Sequence, residues 1–224
     1  MGVKVDLQGS LLMSQQARIK AHQATGTIAA TEFDHPEWAG AAPIQITRQW
    51  SGEAAPASRH AEARILWTDD SLLVRFVCRQ AEPLTVNANP QLGRKTLRLW
   101  DNDVCEIFLA PDLNAPQRYF EFEAAPTGEW VDLAIEITAS GRQTNFEFHS
   151  AMTVGAKVCE DQITIIIRIP WSEVLPKPQR GDAWRVNLFR CVGLGNERYL
   201  AWQPTYTLEP SFHVPEVFGW LDFE

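Results

Sequence analysis

Apolar and polar residues alternate with a period of two along most of this chain, as in strands that turn one face to a core. Residues 63–67 and 72–78 are two such runs, and the intervening Asp69, Asp70 and Ser71 are common turn residues, which predicts a hairpin. The same alternation predicts eight further strands, over residues 103–109, 118–124, 130–137, 145–154, 163–169, 184–192, 199–202 and 218–223.

Short strands joined by loops rich in Pro, Gly, Asn and Asp are typical of an antiparallel β-sandwich. We therefore expect an all-β fold of the immunoglobulin-like or jelly-roll type. One short helix is predicted over residues 171–174, directly after Pro170. Residues 1–25 show no strong pattern and are expected to form a loosely attached N-terminal arm, so that residues 26–224 make up the sandwich domain.

Composition restricts the class of partner. The 224 residues are 45% apolar and 21% charged, which is sufficient for one sizeable core. A net charge of −8 without a cluster of Lys or Arg argues against a nucleic-acid partner. No apolar run reaches membrane-spanning length and no signal-peptide pattern begins the chain, so we expect no membrane partner. The sequence as given predicts a cytoplasmic protein, or a secreted or periplasmic one if the chain is a trimmed fragment.

Motifs for catalysis are weak. There is no G-x-S-x-G elbow and no H-E-x-x-H, and Gly193-Leu194-Gly195 lacks the third glycine of a dinucleotide-binding loop. The four cysteines at positions 78, 105, 159 and 191 are too widely spaced for a zinc site and are expected to be reduced core residues. No nucleophile is paired with a base, so a binding function is favoured over an enzymatic one.

Alternation places several carboxylates on one face of a strand. In residues 118–124, Tyr119, Glu121 and Glu123 point to one side, and the acids of the next strand, Asp132 and Glu136, are expected to extend this acidic face across the hairpin. Glu106 would join it only if its strand pairs with residues 118–124. Such a cluster is either solvated surface or a site that binds cations or sugar hydroxyls.

Trp100 lies six residues before Glu106, which interrupts an apolar strand. An aromatic plate and a carboxylate are the groups that bind the C–H face and the hydroxyls of a sugar. The same residues could also be a loop-anchoring tryptophan and a solvent-facing acid. Among the nine tryptophans, Trp100 and Trp202 are followed by polar loop residues, which makes both available to a ligand.

Five segments in order resemble the family 9 carbohydrate-binding modules: W-D-N-D-V-C-E-I-F-L, Y-F-E-F-E-A-A-P-T-G-E-W-V-D, W-R-V-N-L-F-R, A-W-Q-P and V-F-G-W-L-D-F. The resemblance extends from about Gly26 to Glu224. It implies a β-sandwich that binds an oligosaccharide or polysaccharide without catalysis and contains structural calcium.

The resemblance also implies a set of sugar-binding residues. Trp100 and Trp202 match an aromatic clamp, and Glu106 matches a hydroxyl-binding glutamate. The full set is Trp100, Glu106, Glu121, Asn187, Arg190 and Trp202. This chain departs from the family by carrying Glu121 and Glu123 where the family has an arginine, and Phe189 and Cys191 where it has glutamine and asparagine, with Arg190 as a candidate substitute.

Calcium would bind loop carboxylates, for which Asp101 and Asp103 are the first candidates, followed by Asp34 and Glu37. Two alternatives to free-standing sugar binding stay open. Related sandwiches bind haem b through methionine and histidine, for which this chain offers Met152, His149 and Met13. The chain could also be an accessory domain of a glycan-processing enzyme.

Overall fold

The computed structural model describes residues 17–224, which contain fourteen strands and five short 3₁₀ helices. The strands are β1 Arg18–Gln23, β2 Ile44–Ile46, β3 Arg48–Gln49, β4 Ala61–Trp67, β5 Ser71–Arg79, β6 Val104–Ala110, β7 Arg118–Ala124, β8 Trp130–Thr138, β9 Gly141–Asn145, β10 Thr153–Val158, β11 Gln162–Pro170, β12 Ala183–Cys191, β13 Tyr199–Ala201 and β14 Gly219–Phe223. The 3₁₀ helices are Pro36–Ala39, Ala57–Arg59, Leu99–Asp101, Asn196–Arg198 and Pro215–Val217. No helix among the described residues is long and apolar enough to cross a membrane.

Two sheets pack face to face. The first has the order β14-β12-β6-β7-β8-β9 and the second the order β1-β4-β5-β11-β10. All pairings are antiparallel except those of β1, which runs parallel to β14 in its first half and parallel to β4 in its second. This arrangement confirms the predicted β-sandwich, and β1 connects its two sheets.

Apolar side chains from both sheets fill the space between them. Ile65 and Val74 from the second sheet meet Ile107 and Leu188 from the first, and all four are buried. The edge of Phe223 packs against Trp184, with ring centroids 4.9 Å apart. Burial of each such side chain stabilises the fold by about 1.5–3 kcal/mol, so this core holds the two sheets together.

The first sheet is apolar on its outer face as well. Phe108, Tyr119, Leu133 and Phe189 project there and are covered by segments outside the sheet, including the one that carries Phe212. Every residue of β6 is consequently buried. Polar side chains on this face are thus enclosed by protein.

Several local predictions need correction. Residues 18–23, assigned to an N-terminal arm, form β1, while residues 1–16 with Met13 lie outside the described part of the chain. The predicted helix over residues 171–174 is absent, because Ser172 and Leu175 hydrogen-bond to each other and close a turn. Cys78, Cys105 and Cys191 are buried as expected, but Cys159 is exposed.

The predicted strand over residues 145–154 is interrupted by a loop between β9 and β10. Side chains take the hydrogen bonds that a strand would give this segment. Lys95 Nζ donates to the carbonyls of Phe146 and Phe148, and the Asp132 carboxylate accepts from the backbone and hydroxyl of Ser150, at 2.6 and 2.8 Å. These bonds fold the segment into a fixed loop.

Lys95 and Asp132 form the ion pair at the centre of this loop. Lys95 Nζ lies 2.8 Å from Asp132 Oδ1 and 2.6 Å from the Asp132 carbonyl oxygen. The Asp132 side chain is fully buried and that of Lys95 is 16% exposed. A buried carboxylate is strongly destabilising without its partner, so the pair should be essential to the loop.

We expect Lys95→Met to lower the free energy of unfolding by about 3–5 kcal/mol, because it leaves the buried Asp132 uncompensated. Chemical denaturation checks this. Lys157→Met is the matched control, since Lys157 is half exposed and lies 4.0 Å from the exposed Asp34, and it should change stability by no more than about 0.5 kcal/mol. Equal unfolding midpoints for the two variants would show that the Lys95 pair is not structural.

Candidate functional site

The pairing of β6 with β7 brings three glutamates together on the outer face of the first sheet. Glu106 lies directly opposite Glu123. Glu121 precedes Glu123 by two residues and projects from the same face of β7. One carboxylate oxygen from each of the three lies within 4.8 Å of those of the other two. The strand of Glu106 thus pairs with residues 118–124, and Glu106 joins the acidic face as expected for that pairing.

The acids of β8 do not share this face. Glu121 lies opposite Leu133 and Glu123 opposite Val131, so the apolar residues of β8 flank the glutamates. Asp132 points to the other side of the sheet. The expected extension of the acidic face across the hairpin is wrong, because residues directly opposite each other in a sheet project to the same side.

The three glutamates are buried, not solvated. Their exposed fractions are 2% for Glu106, 3% for Glu121 and 0% for Glu123. Burial raises the pKa of all three, and repulsion between the neighbouring carboxylates raises the pKa of Glu106 and Glu123 further, well above the ordinary value. The interpretation of these acids as solvated surface is therefore incorrect.

Several of the carboxylate oxygens lack a donor. Glu121 Oε2 and both oxygens of Glu123 accept no hydrogen bond from a group outside the cluster in the described part of the chain. Glu106 Oε1 contacts only a weak donor, the Cys191 thiol at 3.4 Å. Glu121 and Glu123 lie close enough for the protonated form of one to donate to the other. Buried polar atoms without a hydrogen-bond partner lower the stability of the fold and commonly mark a functional site.

A cavity of about 270 Å³ lies above the carboxylates. This volume is near the lower end of the usual range for small-molecule sites. Aromatic rings form much of its wall and the three glutamates lie in its floor. Its lining residues are Trp100, Glu106, Phe108, Glu121, Glu123, Leu133, Ile135, Arg142, Thr144, Phe146, Cys191, Tyr199, Pro210, Ser211, Phe212 and His213.

Trp100 is held in place by its neighbours in the 3₁₀ helix Leu99–Asp101. The fully buried Leu99 anchors the turn, and Arg198 donates to the carbonyl oxygens of Asp101 and Asn102 at 3.0 and 2.6 Å. Arg98, at the start of the turn, adopts the left-handed conformation with φ 61°. Trp100 itself is half-buried, so part of its indole is available in the cavity.

Phe212 and His213 enter the cavity wall from the segment before β14. Phe212 stacks on Phe189 with ring centroids 4.0 Å apart, and His213 Nδ1 lies 2.8 Å from the Tyr119 hydroxyl. Burial disfavours the charged form of both groups. It lowers the pKa of His213 to about 3 and raises the pKa of Tyr119. A neutral imidazole accepting from a protonated phenol explains this contact. His213 Nδ1 also lies 3.9 Å from Glu121 but, being uncharged, supplies no positive charge to it.

Comparison with known proteins places this sandwich in a family. The sequence model of the carbohydrate family 9 binding domain-like family matches residues 31–224. The chain belongs to this family. No curated protein matches the sequence significantly.

Solved structures share the family 9 fold. A Bacteroides uniformis ATCC 8492 protein to which carbohydrate binding is ascribed superposes with a TM-score of 0.74 at 19% identity, covering 94% of this chain and 100% of its own. A family 9 module from Caldicellulosiruptor kristjanssonii in complex with cellotriose gives 0.61 at 16% identity, covering 93% and 94%. The same organism's module with glucose gives 0.59 at 16% identity, covering 93% and 96%. At these identities the likeness concerns the fold.

Half of the predicted sugar-binding residues of this family 9 domain line the cavity, namely Trp100, Glu106 and Glu121. Asn187 does not, because its fully buried amide is bonded to the backbone N–H and carbonyl of Gln203. Arg190 points away from the cavity and donates to the Arg59 and His60 carbonyls and to Gln80 Oε1. Both side chains stabilise the fold.

The expected clamp of two tryptophans is not formed. Trp202 packs against the core between the sheets, and its indole lies on the backbone of Gly219, where no side chain would fit. The reason is alternation, since Ala201 projects to the outer face and its neighbour Trp202 to the inner one. Of the two tryptophans matched through the resemblance, Trp100 lines the cavity and Trp202 does not.

The predicted calcium ligands do not converge. The Asp103 carboxylate accepts from the backbone N–H groups of Gly193 at 2.7 Å and Thr85 at 3.2 Å, whereas Asp101 pairs with Arg98 at 2.8 Å. The further candidates also have other partners, with Glu37 contacting His22 and Thr25, and Asp34 lying near Lys157. In the described part of the chain, the acids close enough to share a metal ion are Glu106, Glu121 and Glu123.

The haem alternative gains no support from the described residues. Met152 is buried in the core between the sheets, and the His149 side chain is 63% exposed, 3.8 Å from Asp132. Met152 and His149 therefore do not form a pair of opposed ligands around a buried porphyrin.

Sequence reasoning missed several cavity residues. Arg142 and Thr144 come from β9, Phe146 from the loop after it, Tyr199 from β13 and Phe212 from the loop before β14. Glu123 was placed on the acidic face and noted as a departure from the family, but it was not among the predicted sugar-binding residues, although it is the most deeply buried of the three acids. The one available signal was the shared alternation of Tyr119, Glu121 and Glu123 along a strand.

We expect Glu123→Gln to stabilise the protein at neutral and higher pH. Glu123 has a folded-state pKa above the ordinary 4.5, so the wild type loses stability as pH rises through that pKa, whereas glutamine stays neutral. The gain should be about 1–3 kcal/mol at pH 8 and shrink toward zero near pH 4.5, as measured by denaturation across this range.

Glu136→Gln is the control, because Glu136 pairs with Arg118 near the surface and should leave the pH profile unchanged. If Glu123→Gln is less stable than the wild type at pH 8, the carboxylate has a stabilising partner and the description of an uncompensated cluster is wrong.

Proposed function

We propose that this domain binds carbohydrate non-catalytically in the cavity above Glu106, Glu121 and Glu123. Membership of the family and the fold shared with modules solved with cellotriose and glucose support this class of ligand. The observation that carries the proposal is the combination of buried carboxylate oxygens without donors and an aromatic wall in one cavity. Few other small ligands present both many hydroxyl donors and an apolar C–H face.

Trp100 is the residue proposed to stack on the sugar ring. Its half-buried indole lies on a fixed turn, so little conformational entropy is lost when a ring packs on it. Tyr199 and Phe146, both partly exposed and lining the same cavity, complete the apolar surroundings. Contact with such surfaces supplies affinity, because burial of apolar area is favourable and aromatic rings offer large flat areas.

The carboxylates are proposed to orient the ligand. A hydroxyl that donates to Glu121 Oε2 or to Glu123 satisfies an oxygen that the protein itself leaves without a donor. A sugar with the wrong epimer would leave the oxygen unpaired, at a cost of about 1–3 kcal/mol. Arg142, an exposed residue of β9 that lines the cavity, also offers donors to ligand oxygens.

The arrangement favours binding over hydrolysis. A glycosidase places its two carboxyl groups on either side of the scissile bond. Glu106, Glu121 and Glu123 instead project from one face of a single sheet and contact a ligand from one side.

Trp100→Ala should weaken binding to the best saccharide by at least about tenfold, because the stacking surface is lost. Isothermal titration against glucose, cellotriose and a panel of other mono- and oligosaccharides measures it. Trp220→Ala is the matched control, since Trp220 is a half-buried tryptophan on β14 outside the cavity, and its affinity should stay within about twofold of the wild type. Absence of heat with every saccharide, or equal affinities for both variants, would contradict the proposal.

A further inference from the structure

The cavity floor brings three carboxyl groups together, and neutral hydroxyls bring no charge that would offset theirs when they ionise. One carboxyl oxygen from each glutamate lies within 4.8 Å of those of the other two, and Glu121 Oε2 and both oxygens of Glu123 have no donor outside the cluster in the described part of the chain. Glu123 is fully buried and its side chain lines the cavity. Hydroxyl donors would satisfy individual oxygens but would not offset the repulsion between the carboxylates.

Two arginines act on the cluster, one on Glu121 and one on Glu106. Arg142 is exposed and acts on Glu121, while the buried Arg198 donates through its two terminal nitrogens to the Asp101 and Asn102 carbonyls and acts on Glu106. The charges that act most on Glu123 are all negative. The centre of the cluster therefore favours a ligand that brings a positive charge of its own.

We propose that the site prefers saccharides with a protonated amine, such as oligosaccharides of glucosamine, over their neutral counterparts. This inference rests on the proposed function, because it concerns the same cavity. An ammonium group has three N–H donors, one for each glutamate, and its charge offsets theirs. The sugar ring that carries it would lie against Trp100, which also attracts a cation through its ring face.

An organic cation suits the cavity better than a metal ion. Calcium takes six to eight oxygen ligands, and the three converging oxygens, one from each glutamate, supply only part of such a shell. The other lining groups are mainly aromatic and aliphatic, among them Phe108, Leu133 and Ile135. A cavity of about 270 Å³ also has room for much more than a bare ion.

The decisive experiment compares two trisaccharides that differ only at C2, β-1,4-linked glucosamine trimer and cellotriose, by isothermal titration at about pH 6.5, where the amine is protonated. We expect the glucosamine trimer to bind at least about tenfold more tightly. The fully N-acetylated trimer, which lacks the charge, should not share this advantage. Glu123→Gln should reduce the preference severalfold, and Glu136→Gln, outside the cavity, should retain it.

Proton release gives an independent readout. Burial and mutual repulsion raise the pKa of Glu106 and Glu123 and so favour their protonated forms, and an incoming ammonium should therefore displace protons into the buffer, which repeated titrations in buffers of different ionisation enthalpy would detect. Binding of cellotriose should release fewer protons. The other titratable or charged groups facing the cluster are Asp101, Tyr119, Arg142, Cys191, Arg198, Tyr199 and His213.

The outcomes separate the two proposals. Equal affinity for the glucosamine trimer and cellotriose would overturn the amine preference while leaving carbohydrate binding intact. No binding of any saccharide would overturn both. Binding of Ca²⁺ or Zn²⁺ that competes with the glucosamine trimer and is lost in Glu123→Gln would also overturn the inference, since the cluster would then be a metal site.

Discussion

The pairing of Glu106 with Glu123 across β6 and β7 is the constraint on which the site depends. Like charges opposite each other in a sheet are unfavourable, and burial makes them more so. The pairing is nevertheless fixed, because a shift of one residue would turn Ile107 and Phe122 out of the core between the sheets. The core thus stabilises an arrangement that the carboxylates alone would not adopt.

The outer layer of the first sheet converts this constraint into a binding site. The strands beneath it are apolar on both faces, so the segments carrying Trp100, Phe146 and Phe212 cover the sheet and exclude water from the glutamates. The enclosure is incomplete above the carboxylates, and the remaining cavity gives a ligand access to them. Stability sacrificed at such a cluster is typical of a functional site.

Strand alternation predicted much of the architecture. The bounds of β7 were predicted without error, and β6, β8, β11 and β12 within one residue at each end, because alternating apolar residues determine a strand and its faces locally. The prediction failed where long-range contacts decide. The loop between β9 and β10 depends on Lys95 and Asp132, which are distant in sequence, and β1 is a strand because β14 and β4 flank it.

The site was predictable to a similar extent. Trp100 and Glu106 were identified from their spacing and the family resemblance, and alternation joined Glu121 to Glu123. Sequence could not show which strands are neighbours, and therefore could not bring Glu106 to Glu123 or exclude Asp132. Trp202 was misplaced because a matching motif does not state which face of a sheet a side chain takes.

Titration of the glutamate carboxyl groups by ¹³C NMR tests the buried cluster most directly, with resonances assigned through single Glu→Gln variants. The structure predicts that at least two of Glu106, Glu121 and Glu123 titrate well above the ordinary glutamate pKa, while Glu129, whose pKa is lowered by donors from Asn87, Thr127, Gln91 and Thr96, titrates below it. If all three cavity glutamates titrate at or below the ordinary value, they are solvated or compensated, and the site described here does not exist in that form.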